Sequence, residues 1–408
     1  MIVNGESELL PKTGTPKHSG FMLARRWHLS YNIVAICFTI LNIILLSGES
    51  IELRLFLGTF PNLTGIYFVL FFTMVSISIG SIIMTILLAW KGQITPFMRD
   101  RCWFKYLVIT AFFETISSFM IFYSAHSSRV PPPLAAILSQ STIIFTFGFS
   151  KLLLKKQYRP LHFYSVGLVL IGVVFSLVPT FKRLHDGKTL SQLVDGWYWP
   201  FIYMLAFAPG ALMRITQEKL QIRFYEKATA RQESITRFSV IYLRTVVLTI
   251  QSFLIVLCFG IDILPGFGTS KNVQEWWNSF AAGFSCFFNY HETSTSKCKY
   301  TALVGIMLTV SGVVTNSINA FITDHISSNW LAIISTLVPI VSVSFWFSFP
   351  SIYRWAGGTS FTTWDIGFNL GALPIIIIGV LVYRKAGTDR KIDEKEDLIN
   401  EQPHELLW

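Results

Sequence analysis

Charge is what this sequence has little of. Only 14% of its 408 residues are Asp, Glu, Lys or Arg, against roughly a quarter in soluble domains. That scarcity disfavours a cytosolic enzyme, a nucleic-acid binder and a disordered chain. Familiar chemical motifs are missing too. No GxxxxGK[ST] loop is present, which argues against ATP-driven pumping by this chain. There is no HExxH, no GxSxG, and no grouping of His and acids at metal-ligand spacing. No cofactor and no metal are therefore expected, and no catalysis. The first apolar run begins near residue 30 behind a polar stretch without a clear small-residue cleavage site, so no cleavable signal peptide is read.

Apolar residues are abundant. They make up 52% of the chain, with 36 Phe and 12 Trp. A lipid bilayer accommodates such a surface, and a spanning helix needs about 20 mostly apolar residues. Ten stretches qualify: Ser30–Ser47, Gly65–Trp90, Phe104–Ala125, Pro133–Leu154, Leu161–Phe181, Trp197–Met213, Phe238–Gly260, Tyr300–Thr323, Ser327–Phe349 and Trp364–Tyr383. The expected fold is an all-α polytopic membrane protein.

Basic residues set the orientation. With the N-terminus in the cytosol, 23 of the 33 Lys and Arg fall in cytosolic segments and nine on the other side. Arg244, the remaining one, lies deep inside a span. The net charge of +10 is then an orientation code rather than a nucleic-acid patch. Both ends are expected in the cytosol. Two features fit that orientation. Asn62-Leu63-Thr64 is a glycosylation sequon in the first lumenal loop. Cys286 and Cys298 share the longest lumenal loop, where an oxidising lumen permits a disulfide; the alternative is two free thiols.

Five spans precede the loop near His185 and five follow it. An odd number per half makes the halves insert in opposite senses, the arrangement of inverted-repeat transporters. The expected domains are a tail, 1–29; a first five-helix repeat, 30–183; a lumenal connection, 184–196; a second repeat, 197–385, with lumenal loop 261–299; and a tail, 386–408. The fourth span, from Leu134, and the ninth, from Leu331, begin with similar small-residue and hydroxyl patterns. Glycines mark the fifth span at Gly167 and Gly172, and the tenth at Gly367, Gly371 and Gly379, which favours close helix packing.

Polar residues at membrane depth are functional candidates. Glu114 in the third span is a candidate for binding a cation or titrating with a transported proton, and the alternative is a structural ion pair. Arg244 in the seventh is a candidate for meeting an anionic substrate or neutralising Glu114. Asn42, Gln140, Gln251, Asn316 and Asn319 form a neutral tier that needs substrate, water or helix–helix partners. Pro209 and Pro339 are expected to kink their spans.

Particular segments resemble one family. Ala208-Pro209 followed by Met213-Arg214-Ile215-Thr216-Gln217-Glu218-Lys219-Leu220 is similar to its proline and the charged segment leaving the sixth span. Glu275-Trp276-Trp277 through Cys286 is similar to its lumenal helix and first loop cysteine. The acid at Glu114, then Leu138-Ser139-Gln140-Ser141, and Gln251 fit as well. The ten spans in two halves resemble the drug/metabolite transporter superfamily, and these segments resemble the chloroquine-resistance-transporter-like family within it.

That resemblance implies proton-gradient-coupled export of small solutes from an acidic digestive vacuole or lysosome to the cytosol. Amino acids, short peptides, glutathione-like thiols and organic cations are the implied cargo, with a role in nutrient supply and vacuolar osmotic balance. Glu394 with Leu398 and Ile399 fits an acidic dileucine sorting pattern. The chain departs from the malarial member: its loop has two cysteines rather than four, Asn42-Ile43 stands where an asparagine–lysine pair is found, and Thr315 or Asn316 stands in place of an acid. Alternatives are a nucleotide-sugar or phosphorylated-metabolite exchanger and, in another class, a non-transporting receptor or scaffold. The expected partners are a small solute, protons and the bilayer, with no nucleic acid.

Overall fold

A computed structural model describes residues 21–22, 28–29, 31–60, 65–92, 94–153, 158, 160–185, 198–231, 239–289, 297–325, 328–358 and 362–400. The sequon at Asn62 lies outside the described residues. The fold is helical, apart from one antiparallel pairing of Phe21–Met22 with His28–Leu29. Among the described residues, six helical stretches are long and apolar enough to cross a membrane: Ile66–Trp90, Arg101–Ser124, Pro132–Leu153, Pro160–Pro179, Cys298–Asn319 and Thr363–Val382. Two shorter apolar stretches join them, Ile241–Leu257 and Leu337–Ser348. The chain is a multi-pass membrane protein.

The first three helices are α1 (Tyr31–Gly58), α2 (Ile66–Trp90) and α3 (Phe104–Ser124). The sequence places the end of the first span at Ser47, before a polar run. Instead α1 continues for another two turns and more, carrying Glu49, Glu52 and Arg54 as helical residues. The fourth span is two helices, α4 (Pro132–Leu138) and α5 (Ser141–Leu153). Hydroxyls explain the break. Ser139 Oγ donates to Ala136 O at 2.6 Å and Thr142 Oγ1 donates to Ser139 O at 2.8 Å, competing with the helical ladder. Three prolines lead into α4, at its N-terminal positions where absent amide donors are harmless.

Next come α6 (Pro160–His185), α7 (Trp199–Leu205), α8 (Phe207–Ala230) and α9 (Ser239–Leu257). The α7–α8 break follows from Pro209, which has no amide to give Leu205 O four residues back. Pro339 behaves otherwise and leaves its helix continuous. The remaining helices are α10 (Val273–Phe288), α11 (Thr301–His325), α12 (Ser328–Ser348), α13 (Pro350–Trp355) and α14 (Thr363–Asn400).

Packing follows a regular scheme. α1 packs on α11 and α12, α8 on α3 and α5, α2 on α9 and α11, and α9 on α3. α6 lies along α14. Gly172 and Gly379 permit that approach. A Cβ on Gly172 would stand 2.5 Å from Ile376 Cγ1, and one on Gly379 would meet Val169, Leu168 and the Ser165 carbonyl. Ser165 Oγ donates to Gly379 O at 2.6 Å. Gly167 and Gly367 face open space and have no such part.

One end of the bundle is covered by α10. Asn272 caps it, accepting from Glu275 N at 2.8 Å, and Glu275 in turn accepts from Lys271 N at 2.8 Å. These reciprocal bonds satisfy free amides at the helix start. Its apolar face meets an aromatic cluster of Phe56, Phe68, Phe72, Phe280 and Phe287. Cys286 at its end is bonded to Cys298 at the start of α11, with S–S 2.08 Å.

Candidate functional site

Ionic chemistry gathers where α3, α8, α9 and α11 converge. Glu114 stands ten residues into α3 and Arg244 five into α9. Arg244 donates through Nη1 to Glu114 Oε2 at 2.6 Å and through Nη2 to Glu114 Oε1 at 2.5 Å. This is the bidentate fork that guanidinium geometry favours. Arg244 Nε also donates to Asn316 Oδ1 at 3.4 Å, and Asn316 Nδ2 is tied to Gly312 O at 2.8 Å. The ion pair keeps 17% and 12% side-chain exposure, so it borders open space rather than a sealed core. A groove beside it is lined by Ser81, Met84, Ile241, Thr245 and Ser317 together with Arg244 and Asn316.

A third ionic group was not foreseen. Arg214, one turn beyond Gly210 in α8, lies within electrostatic reach of both Arg244 and Glu114. Its side chain is exposed, and it has no hydrogen-bonding or ion-pair partner among the described residues. In the sequence it reads as an orientation charge, because it follows the last apolar residue of its span. The centre thus holds two guanidiniums against one carboxylate.

The other predicted residues are distributed around this centre. Asn42 Nδ2 donates to Asn319 Oδ1 at 2.9 Å, joining α1 to α11. Gln251 is 1% exposed. Its Nε2 donates to Ser118 Oγ at 2.8 Å while its Oε1 has no partner. Gln140 is buried at the α4–α5 break. Glu114, Arg244 and Asn316 are therefore brought together, and Asn42, Gln251 and Gln140 occupy three separate positions. Leu398, Ile399 and Glu394 fall on the last turns of α14. Glu49 and Glu52 were missed altogether, since a polar run after an apolar one reads as a loop. Their spacing from Asn42, seven and then three residues, is the helical signal that was there to be read.

The α10 end of the centre is closed. Asp262, 1% exposed, accepts from Tyr123 Oη at 2.6 Å, Thr269 Oγ1 at 2.8 Å and Ser270 Oγ at 2.7 Å. Arg129 donates to Tyr123 O at 2.7 Å and stacks on Trp199, 3.8 Å from the ring centroid. Arg54 is fully desolvated and donates to Ala125 O and Val130 O at 2.9 and 3.1 Å.

A helical membrane protein with a polar, ionic centre at a junction of helices has the anatomy of a solute carrier. Residues 29–383 match the family model for chloroquine-resistance-transporter-like proteins, which is most of the chain. The chain belongs to the chloroquine-resistance-transporter-like family. Members of this family are transporters. It is also similar to Crt homolog 1 of Dictyostelium discoideum, at 28% identity over 120 residues. That match spans 29% of this chain and 24% of the relative's length.

Proposed function

We propose that the chain is a secondary active transporter built as two inverted five-helix repeats, residues 30–183 and 197–385, working by alternating access. The observation that carries the reading is the pattern of helix pairs. Let α1, α2, α3, α4–α5 and α6 correspond in order to α7–α8, α9, α11, α12 and α14. The α1–α11 contact then has its counterpart in α3–α8, α1–α12 in α5–α8, α2–α11 in α3–α9, and α5–α6 in α12–α14. The ionic centre sits on this two-fold relation, with Glu114 on α3 and Asn316 on the corresponding α11. That is where substrates bind in inverted-repeat carriers.

Two cations against one anion favour cargo bearing a carboxylate. Amino acids, short peptides and glutathione-like thiols fit better than organic cations. Arg214 is the free anchor, Arg244 with Glu114 is the wall it faces, and Asn316, Asn42, Gln140 and Gln251 are polar contacts along the path. The tight α10 end supports a state open on the opposite, cytosolic side. Export runs from an acidic vacuole or lysosome to the cytosol, with both termini cytosolic, Asn62 glycosylated in the lumen and Glu394, Leu398 and Ile399 as a sorting signal. The same pair of arginines supports a second reading, exchange of phosphorylated or nucleotide-linked solutes.

Reconstitution in proteoliposomes with an imposed pH gradient tests this. Labelled amino acids, peptides, glutathione and sugar nucleotides are offered in turn. Gradient-dependent uptake of a carboxylate solute is expected. Uptake of sugar nucleotides only would favour the second reading, and no flux of any solute would favour a receptor.

A further inference from the structure

The seam between α1 and α11 holds a polar site separate from the Glu114–Arg244 centre. Side chains meet there in three rungs. Asn42 pairs with Asn319 at 2.9 Å, Glu49 lies beside Thr315, and Ser311 Oγ donates to Glu52 Oε2 at 2.5 Å. Ser311, Thr315 and Asn319 are four residues apart, which makes them one face of α11. The order on α1 runs the opposite way, so the helices are antiparallel here.

Among the described residues, no counter-charge is paired with the two carboxylates. α2, α4 and α12 pack against α1 and contain no Lys, Arg or His. α11 has only Asp324 and His325, at its far end. α13 brings Tyr353 towards the end of α1, and its Arg354 is exposed. Arg54 on α1 itself is committed to the Ala125 and Val130 carbonyls.

Some polar atoms along the seam are closed off without a well-formed hydrogen bond. Glu49 Oε1 is closed off from solvent without a hydrogen bond. Thr315 Oγ1, on a residue 2% exposed, has none either, and nor does Ser47 Oγ, again 2% exposed. Two neighbouring carboxylates without a positive partner disfavour each other's ionised form.

We propose that Glu49 and Glu52, with Thr315 and Ser311 facing them, form a proton-binding site in which one proton is shared by the pair. A proton adds to one carboxylate oxygen as an O–H bond, no other bond breaks, and the hydroxyl so formed donates to its neighbour. Glu114 differs in having Arg244 as its ion-pair partner. The site stands independently of the transport reading. Thr315 precedes Asn316, which accepts from Arg244, so a change at the seam is one residue from the ionic centre.

Infrared spectroscopy of the purified full-length chain in phosphatidylcholine vesicles tests the site without any solute. A protonated-carboxyl band is expected at pH 7, well above the titration of a free glutamic acid near about 4.3. It should persist in E114Q and vanish in E49Q/E52Q. A band retained in E49Q/E52Q overturns the proposal, as does a wild-type chain with no band. A wild-type band abolished by sodium chloride overturns the proton as occupant and indicates a sodium ion. Should E49Q/E52Q not fold, T315V decides: its band should shift in frequency, and an unshifted band overturns the assignment.

Discussion

Glu114 and Arg244 hold each other in a two-pronged contact, and removing either leaves the other charge facing weak solvation. Breaking one side of such a pair costs up to about 3–5 kcal/mol when fully buried; the remaining exposure of this pair places the loss nearer 1–3 kcal/mol. E114Q and R244Q are each expected to lower the melting temperature in detergent, and E114Q/R244Q to recover much of it. A double-mutant cycle by thermal unfolding measures the coupling. Arg214 behaves oppositely. R214Q is expected to leave the melting temperature unchanged and to weaken carboxylate cargo about tenfold, roughly 1.4 kcal/mol, read as competition against labelled flux. Of these three residues, two were visible in the sequence because a charge inside an apolar run is conspicuous. Arg214 was hidden by its position at the run's edge, where most arginines only set orientation.

At the level of elements, long apolar runs gave away the helices, because nothing but a helix or closed barrel satisfies a backbone in lipid. Their interruptions were harder to see. Pro209 breaks a span and Pro339 does not, so the residue type alone does not decide; the α4–α5 break depends on hydroxyls that bond backward. The continuation of α1 past Ser47 carries Glu52 to Ser311, which lies more than 250 residues away in sequence. A pairing of that range leaves no local trace. The α6–α14 contact allows a direct check. G172L forces a side chain into Ile376, and overpacking costs about 1–3 kcal/mol. Thermal stability should fall, and adding I376A should restore part of it. At the closed end, D262A orphans the hydroxyls of Tyr123, Thr269 and Ser270, each worth about 1–3 kcal/mol if left buried and unpaired. Proteolysis within 258–271 should become faster in that variant.

For the molecule as a whole, the inverted-repeat reading proposed above means that the two halves can exchange roles while keeping similar interfaces. Rocking one half against the other then needs few new contacts. Partners of both the seam carboxylates and the ionic centre lie on α11, Ser311 for Glu52 and Asn316 for Arg244, so a single helix touches both. E49Q/E52Q is expected to abolish gradient-driven accumulation while leaving solute exchange at equal pH intact. Paired uptake and exchange assays in the same vesicles measure this; accumulation equal to wild type would exclude a coupling role for the seam.

On the sorting reading proposed above, the last helix has a consequence for traffic. α14 is 38 residues long, which at 1.5 Å per residue is about 57 Å, nearly twice the thickness of a hydrocarbon core. Its second half therefore stands off the bilayer as a strut. Glu394, Leu398 and Ile399 are held at a set height above the lipid, and that height depends on the number of residues between Val382 and Glu394. Deleting four of them should keep the helical face while lowering the segment by about 6 Å, a change of reach without a change of sequence in the segment itself.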